Sequence, residues 1–202
     1  MRTAKNILII VIIIVVGWNS VYFAKLDGIK ASRARKEFDA PKYASTFWNS
    51  KLMPNVDKAV ELNKLRSMLA AGGANAFDTY SHALGIGNLR YFLVRGKGKV
   101  ERVDNDYIVI DGDIKIATEF IFGNAVRDAS GLIDINDFTN IMDFNNVSAE
   151  INKIIRGKVL PAFKANVKKN DMVEFTGAIE LNKEHLQLKH IEVIPVQLRI
   201  VN

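Results

Sequence analysis

The 202-residue chain contains no cysteine and only three histidines. Without cysteine it cannot form a disulfide scaffold, a zinc–thiolate site, a thiol nucleophile or a cysteine-linked lipid. His82, His185 and His190 lack the spacing of metal ligands, so we expect no metal and no cofactor. The patterns G-x-S-x-G, H-E-x-x-H and the P-loop are absent as well. The sequence therefore names no catalytic residue, and we expect a protein that is not an enzyme.

Hydrophobic residues make up 49% of the chain, but they are concentrated near its start. Residues 7–16 are an unbroken run of ten Ile, Leu and Val, and the apolar stretch continues to residue 24 with only Asn19 and Ser20 distinctly polar. About 20 apolar helical residues cross a hydrocarbon core of roughly 30 Å, and aromatic rings settle at its interface. We therefore predict a membrane anchor that includes Ile7, Val16, Trp18 and Tyr22.

The same segment has the layout of an export signal, because Arg2 and Lys5 precede the apolar run. Cleavage after Ala24 would place the bulky Tyr22 where a small residue is needed. We therefore interpret residues 1–24 as an uncleaved signal-anchor, with cleavage as the alternative. The cations within residues 25–36 favour a cytoplasmic C-terminal domain by the positive-inside rule, whereas the short basic N-terminus favours export. We favour export.

Beyond the anchor, the changing period of the hydrophobic residues indicates three further segments. These are a polar stalk at residues 25–38, a helical segment at 39–86 and a β-rich domain at 87–202. Asp39 is predicted to cap the first helix, Pro54 to end it, and Asn55 to cap a second. A short third helix is predicted over residues 74–84. Phe47 and Trp48 could stack on a ligand, but their helical spacing favours packing in the core.

The β-rich domain shows a period of two from Leu89 onward. A long strand over residues 89–103, bent at two glycines, is followed by strands at 107–110 and 113–120, which Asp111-Gly112 joins as a hairpin. We predict a helix that opens at Ser148 and is limited by Pro161, a strand over residues 173–181, and a last strand with a bulge near Lys189–His190.

Three strands, a helix and two strands are the order of an OB-fold, a five-stranded barrel. The predicted fold class is therefore α+β: an N-terminal transmembrane helix, a helical segment, and an OB-fold-like antiparallel barrel with a helix between strands three and four. An antiparallel sheet covered by helices on one side is the alternative. OB-folds often bind nucleic acid, and Tyr91, Phe92 and Tyr107 are residues that could stack on bases. Without Arg2 and Lys5 the chain has 26 basic and 22 acidic side chains, a net charge of only +4, so we expect no nucleic-acid partner.

An Asn/Asp-rich stretch at residues 123–146 is predicted to be an irregular loop, and loops this long are usually functional. An arginine guanidinium, amides and carboxylates together offer the hydrogen-bond donors and acceptors that can bind a small polar ligand such as a sugar. The candidate ligand-binding residues are Asn124, Arg127, Asp128, Ser130, Asp134, Asn136 and Asp137. The alternative is an internal network in which Arg127 pairs with Asp128 or Asp134. Calcium binding is not favoured, since the EF-hand pattern is absent.

Several motifs in the chain together resemble one bacterial family. They are Leu-Gly-Ile-Gly-Asn at residues 84–88, Phe-Gly-Asn-Ala-Val-Arg-Asp-Ala-Ser-Gly at 122–131, Asp-Phe-Asn-Asn at 143–146 and Val-Glu-Phe-Thr-Gly at 173–177. Over residues 20–200 the chain is similar to the predicted periplasmic lipoproteins, domain of unknown function 2291. The resemblance implies an extracytoplasmic domain, often encoded beside sugar-type ABC transporters, with no known activity. Trp18 stands where the lipoprotein pattern has its lipidated cysteine, which favours a membrane-spanning anchor.

These observations predict a membrane-anchored accessory or binding protein of the cell inner membrane. It would be single-pass, with its C-terminal domain on the periplasmic side, and its partners would be the membrane and either a transporter component or a small polar ligand such as a sugar. Two alternatives stay open. One is a hydrolase-like enzyme that uses Asp128, Asp134 or Asp137, and the other is a purely structural envelope module.

Overall fold

The structure is a computed structural model that describes residues 15–16, 38–83 and 87–201. The chain divides into two compact units, Met1–Phe38 and Asp39–Asn202. Among the described residues, no helix is long and apolar enough to cross a membrane. The predicted anchor and stalk lie outside the described residues except for Val15, Val16 and Phe38, so the description below concerns the second unit.

The first helix of this unit, α1 (Ala40–Phe47), begins where the sequence predicts. Asp39 caps it, because a carboxylate oxygen of Asp39 accepts a hydrogen bond from the Lys42 N–H at 2.8 Å. The helix then continues as a π-helical turn (Trp48–Leu52) and a 3-10 helix (Met53–Lys58).

The predicted break at Pro54 and the predicted cap at Asn55 are both wrong. Pro54 lies inside the 3-10 helix, and the Asn55 amide donates back to the Lys51 carbonyl oxygen at 2.7 Å. The second helix, α2 (Leu62–Ala70), begins instead at Glu61, whose carboxylate accepts from the Lys64 N–H at 2.6 Å.

Two short strands flank these helices and extend the main sheet. They are β1 (Val60–Glu61) and β2 (Ser81–His82), with the third helix, α3 (Ala74–Tyr80), between them. The predicted third helix therefore ends at Tyr80, because Ser81 and His82 pair antiparallel with the next strand.

Five strands form a closed barrel. They are β3 (Leu89–Val103), β4 (Tyr107–Ile110), β5 (Ile114–Ala117), β6 (Met172–Asn182) and β7 (Glu192–Val201). Their order is β3-β4-β5-β7-β6, and β6 pairs again with β3. β5 and β7 run parallel, and the other barrel pairs are antiparallel. This confirms the OB-fold-like α+β barrel over the open, one-sided sheet.

The long strand β3 serves both halves of the barrel, as its length predicts. Its residues from Leu89 to Lys99 pair with β6, and those from Val100 to Val103 pair with β4. Between β4 and β5, Asp111 and Gly112 have φ angles of 49° and 73°, which are typical of the tight turn that the sequence predicts. β5 ends at Ala117, earlier than predicted.

The bulge in β7 lies elsewhere than predicted. Thr176 pairs with Gln197 and Gly177 with Pro195, so the extra residue is Val196. A Cβ atom on Gly177 would lie 2.6 Å from the Ile194 carbonyl oxygen, so glycine permits the close approach at this bulge. The alternation of apolar residues shifts before β7 for a different reason. Residues 183–191 form a loop, in which His190 has a φ of 56°.

The chain between β5 and β6 is more helical than predicted. It contains α4 (Ala125–Ser130), a 3-10 turn (Ile135–Asp137), α5 (Ile141–Ile154), a π-helical turn (Ile155–Val159) and α6 (Leu160–Asn166). α5 begins seven residues before Ser148, because Asn140 accepts from the Asp143 N–H at 2.8 Å and caps it. Pro161 does not end the helical segment, since it occupies the first turn of α6.

The barrel interior and the helices α2 and α3 share one core. Leu65, Leu69 and Phe77 are buried against barrel residues, and the Phe77 and Phe92 rings lie 5.6 Å apart. α1 packs on α5 and buries Phe47 and Trp48, which are 2% and 6% exposed. Core packing is thus confirmed for these two aromatic residues.

A half-buried carboxylate, Asp113, joins α2 to the loop before β7. It accepts from the Arg66 guanidinium, and its other oxygen accepts from the His190 N–H at 2.5 Å. Burial by itself would raise the pKa of Asp113, but the hydrogen bonds from His190 and Arg66 outweigh it and hold that pKa below its usual value.

We expect Asp113→Asn to lower the free energy of unfolding at pH 7 by about 1–3 kcal/mol, because two charge-assisted hydrogen bonds weaken. Since the pKa of Asp113 is lower in the folded than in the unfolded chain, this stabilisation is complete above about pH 4 and is lost as the pH falls further. Denaturant titrations between pH 7 and pH 3 should show the two proteins converging. The control, Asp78→Asn, changes an exposed carboxylate on α3 and should stay within about 0.5 kcal/mol of wild type throughout.

Candidate functional site

A buried ion pair lies at the centre of the stretch that the sequence singles out. Arg127 and Asp128 on α4 each have side chains only 3% exposed, and Arg127 Nε lies 2.6 Å from Asp128 Oδ1. A second bond joins Arg127 Nη2 to Asp128 Oδ2 at 3.2 Å, so the contact is bidentate. Such pairing satisfies two charges that would otherwise be costly to bury.

The Arg127 guanidinium also contacts Phe144 of α5. Its Nη1 donates to the Phe144 carbonyl oxygen at 3.2 Å, and its Cζ lies 3.6 Å from the centre of the Phe144 ring. Phe138 packs on Phe144, and Tyr43 of α1 packs on Phe138, each with ring centres 5.2 Å apart. Burial, and then the charge of Asp137, raises the pKa of Tyr43. Arg127 is thereby linked to α1 through a row of rings that pack at steep angles to one another.

Asp128 is held from the barrel side by Asn124. The Asn124 amide donates to the Asp128 carboxylate and to the Tyr91 hydroxyl of β3, the latter at 3.4 Å. Burial raises the pKa of Tyr91, the Asn124 bond opposes this, and Glu180 adds to it. The phenol therefore stays protonated at neutral pH and connects the ion pair to the barrel.

The remaining candidate residues make local turns. Ser130 Oγ donates to the Arg127 carbonyl oxygen at 2.6 Å and helps to end α4. Asp134 accepts from the backbone and the side-chain amide of Asn136, both at 2.8 Å, and caps the 3-10 turn. Asp137 is exposed. These contacts are those of the internal-network alternative, and ligand binding by these residues stays a prediction.

Two clefts border the ion pair, one lined by Arg127 and the other by Asp128. The first, which we call the α5 cleft, has a volume of about 500 Å³, and its lining includes Asn124 and Arg127. The second, the β2 cleft, has a volume of about 640 Å³, and its lining includes Asp128, Asp134 and Asp137. The candidate residues are therefore not one constellation, since they are divided between two clefts, and Ser130 and Asn136 line neither.

The α5 cleft is lined by apolar surface together with side chains that can donate hydrogen bonds. Asn145, Ser148, Asn152 and Arg156 follow one face of α5 and its π-helical turn, and none of the described residues lining the cleft is Asp or Glu. The Asn152 amide donates to the Gly123 carbonyl oxygen at 2.8 Å, and Arg156 Nη1 donates to that of Ile121. The rim carries Phe122, whose side chain is 70% exposed.

The β2 cleft has mixed charge. His82 and Arg90 face the same space as the three aspartates, and Arg90 Nε is buried with no hydrogen-bond partner among the described residues. Within the described part of the chain, no three or more His, Cys, Asp or Glu side chains are grouped closely enough to hold a metal.

A third cleft of about 550 Å³ lies across β3, β6 and β7 and includes part of the Arg-Gly-Lys-Gly-Lys run at residues 95–99. The run lies inside β3, as the sequence indicates. Lys97 pairs with Glu174 at 3.3 Å, and Asp57 and Glu61 also line the cleft, so charges of both signs meet there.

Sequence reasoning missed several residues of the α5 cleft. Ser148 and Arg156 lie in a helix of which the sequence pattern indicates only the apolar face. Their signal was the polar spacing of residues 145, 148, 152 and 156, which places all four on one helix face. No comparable sequence pattern indicates that Phe122 lines this cleft, or that His82 and Arg90 line the β2 cleft.

The closed barrel, with helices inserted between β5 and β6, defines an OB-fold domain. A solved structure supports this class: a crystal structure of an OB-fold protein from Thermotoga maritima is 27% identical with a TM-score of 0.74, and the match covers 82% of this chain and 100% of that one.

The model of the family described as "Predicted periplasmic lipoprotein (DUF2291)" matches residues 11–199, and the chain belongs to this family. Its setting is therefore extracytoplasmic and membrane-associated. The search of curated proteins found no match.

We expect Arg127→Met to lower the free energy of unfolding by about 3–5 kcal/mol, because it leaves the Asp128 charge buried without its partner. The control is Arg102→Met, which removes a 2.7 Å contact with Asp104 from a side chain that is 61% exposed. That change should cost less than about 1 kcal/mol. Chemical denaturation of the three proteins measures both values, and equal effects would contradict a structural role for the buried pair.

Proposed function

We propose that the protein is a membrane-anchored, extracytoplasmic binding protein whose α5 cleft takes a small polar ligand such as a sugar. The observation that carries this proposal is a cleft of about 500 Å³ whose polar lining residues come from α4 with its N-cap and from α5 with its π-helical turn. The buried Arg127–Asp128 pair holds these elements together, so the cleft is formed before any ligand arrives. Preformed clefts of this size are typical of small-molecule sites.

The chemistry of the lining also supports a hydroxylated ligand. Asn145 offers both a donor and acceptors, and Arg156 offers a planar set of donors. Phe122 presents an exposed ring at the rim, where it can cover the apolar C–H face of a sugar. By contrast, the geometry does not favour Asp128 as the carboxylate of a hydrolase-like enzyme, because both its oxygens already accept from Arg127 or Asn124.

A thermal-shift screen of neutral and acidic monosaccharides tests the proposal. At least one compound should raise the melting temperature of the full chain, and Phe122→Ala or Asn145→Ala should reduce that rise. The chain supplies matched controls: Phe120 is also an exposed phenylalanine and Asn146 also an exposed asparagine, and neither lines the cleft. Phe120→Ala and Asn146→Ala should therefore keep the full shift. If no compound shifts the wild type, the proposed function is wrong; if controls and cleft variants lose the shift equally, the binding site is elsewhere.

The single-pass anchor and the periplasmic orientation belong to the same proposal, and the apolar run at residues 7–16 supports them. A phosphatase that is active only in the periplasm, fused after residue 202, should be active in membranes that have been washed with alkaline carbonate. Lysine at both Ile10 and Ile13 should release the protein from these membranes, because each charge costs about 2.5–3.5 kcal/mol at the centre of a membrane helix. An inactive reporter would contradict export.

An association with a sugar-type transporter is supported by the family resemblance alone. Purification of the full chain from its own membranes with a mild detergent, followed by identification of the co-purified proteins, tests it directly.

A further inference from the structure

We infer that the outer edge of β7, at residues 197–201, binds an extended peptide segment of a partner protein by main-chain pairing. The segment is one in which apolar and acidic residues alternate. The cleft beside this edge shares no lining residue with the α5 cleft, so the inference is independent of the proposed ligand-binding function.

The first observation is that one edge of β7 has no strand beside it. β7 pairs with β6 over residues 194–201, but it pairs with β5 only at Glu192 and Val193. In an antiparallel pair, every second residue directs its N–H and C=O away from the partner strand. Among the described residues, only those of β6 form main-chain pairs with residues 197–201. This edge is therefore open to a further strand.

Pro195 and the bulge at Val196 protect the part of the edge that lies next to β5. Proline has no N–H to donate, and a bulge interrupts regular pairing. Beyond them the register against β6 is unbroken from Gln197 to Val201. These five residues keep the regular geometry that an added strand requires.

A cleft of about 420 Å³, which we call the β7 cleft, is lined by this edge and by the helical segment that contains Val159 and Ala162. The lining includes each residue of β7 from Val196 to Ile200. Val159, Leu198 and Ile200 are only half-buried and leave apolar surface in the cleft. With a rise of about 3.3 Å per residue, a strand spacing of about 4.8 Å and a sheet thickness of about 10 Å, the volume holds about three residues of an extended chain.

The open main chain favours a peptide over an acyl chain as the occupant. An acyl chain could cover the apolar lining, but it would exclude water from the outward N–H and C=O groups of β7 without replacing their hydrogen bonds, which is costly. A peptide strand covers the same surface and supplies both donors and acceptors.

The charges beside the edge determine which peptides fit. Lys158 and Arg199 line the β7 cleft, and none of its described lining residues is Asp or Glu. These cations are exposed, so they do not by themselves indicate a ligand. For a strand that pairs with β7, a carboxylate opposite Arg199 is favourable and a cation is not. Two copies joined antiparallel about Arg199 would place like charges opposite each other, so charge also disfavours a second copy.

The two faces of β7 determine the pattern of the peptide. Leu198 and Ile200 pack against the core, whereas Gln197 and Arg199 alternate with them and line the third cleft. Because an added strand has the same alternation, its residues beside Leu198 and Ile200 are apolar, and the residue beside Arg199 is acidic.

Fluorescence anisotropy with the full chain in detergent micelles tests the inference, with a labelled peptide of alternating valine and glutamate as the probe. The peptide should bind, and lysine in place of its glutamates should weaken binding by about tenfold or more. Two N-methylated forms, one methylated at its odd-numbered residues and one at its even-numbered residues, give a sharper readout. Because only one of these two sets of amides faces β7, one form should lose binding and the other should keep it.

Ala162 and Ala165 supply a matched pair of variants, since both are exposed alanines of α6 and only Ala162 lines the β7 cleft. Ala162→Trp should fill the cleft and weaken peptide binding by about tenfold or more, whereas Ala165→Trp should change it less than about twofold. The two variants should have similar melting temperatures. Arg199→Gln should weaken binding by about threefold, and Lys164→Gln, which removes an exposed cation outside the cleft, should leave it unchanged.

Failure of the peptide to bind, or equal effects of the two N-methylated forms or of the two tryptophan variants, overturns the inference. Octanoate that binds more tightly than the peptide, and that Ala162→Trp alone excludes, would show an acyl-chain site instead. Dimerisation of the wild type that Ala162→Trp abolishes would show that a second copy occupies the edge. Each of these outcomes leaves the proposed function of the α5 cleft standing.

Discussion

The buried ion pair between Arg127 and Asp128 is the interaction on which the rest of the helical insertion depends. Two charges with side chains 3% exposed are stable only when each is paired and hydrogen-bonded. This requirement fixes α4 against α5 through the Phe144 carbonyl and ring, and against β3 through Asn124 and Tyr91. The same pair contributes to both clefts, with Arg127 lining one and Asp128 the other. One contact therefore determines both how the insertion packs on the barrel and which polar groups can meet a ligand together.

The barrel was the part of the fold most accessible from the sequence, because its signals are local. Alternating residues define β6, and Asp111-Gly112 defines the hairpin by its own turn chemistry. The helical insertion was not accessible in the same way. α4 has only six residues, too few for an amphipathic period, and it buries the ion pair together with Val126 and Ala129. The start of α5 did have a signal, since Asn140 and Asp143 have the spacing of a helix cap.

The candidate site was predictable in composition but not in arrangement. The sequence indicates that Arg127 and the nearby aspartates are candidate ligand-binding residues. Which cleft each of them lines depends on the direction of its side chain, and the sequence of a short helix does not give that direction. The contact between Arg127 and the Phe144 carbonyl oxygen also requires the structure, because the two residues are 17 positions apart in the chain.

The pairing of β7 has a consequence for how the protein folds. β7 is the last strand in chain order, and it joins β6 on one side and β5 on the other, so that Lys115 lies beside Glu192. The barrel therefore cannot close until nearly the whole domain has been synthesised. For an extracytoplasmic domain, the closure of the barrel is therefore a late event that depends on contacts between distant parts of the chain.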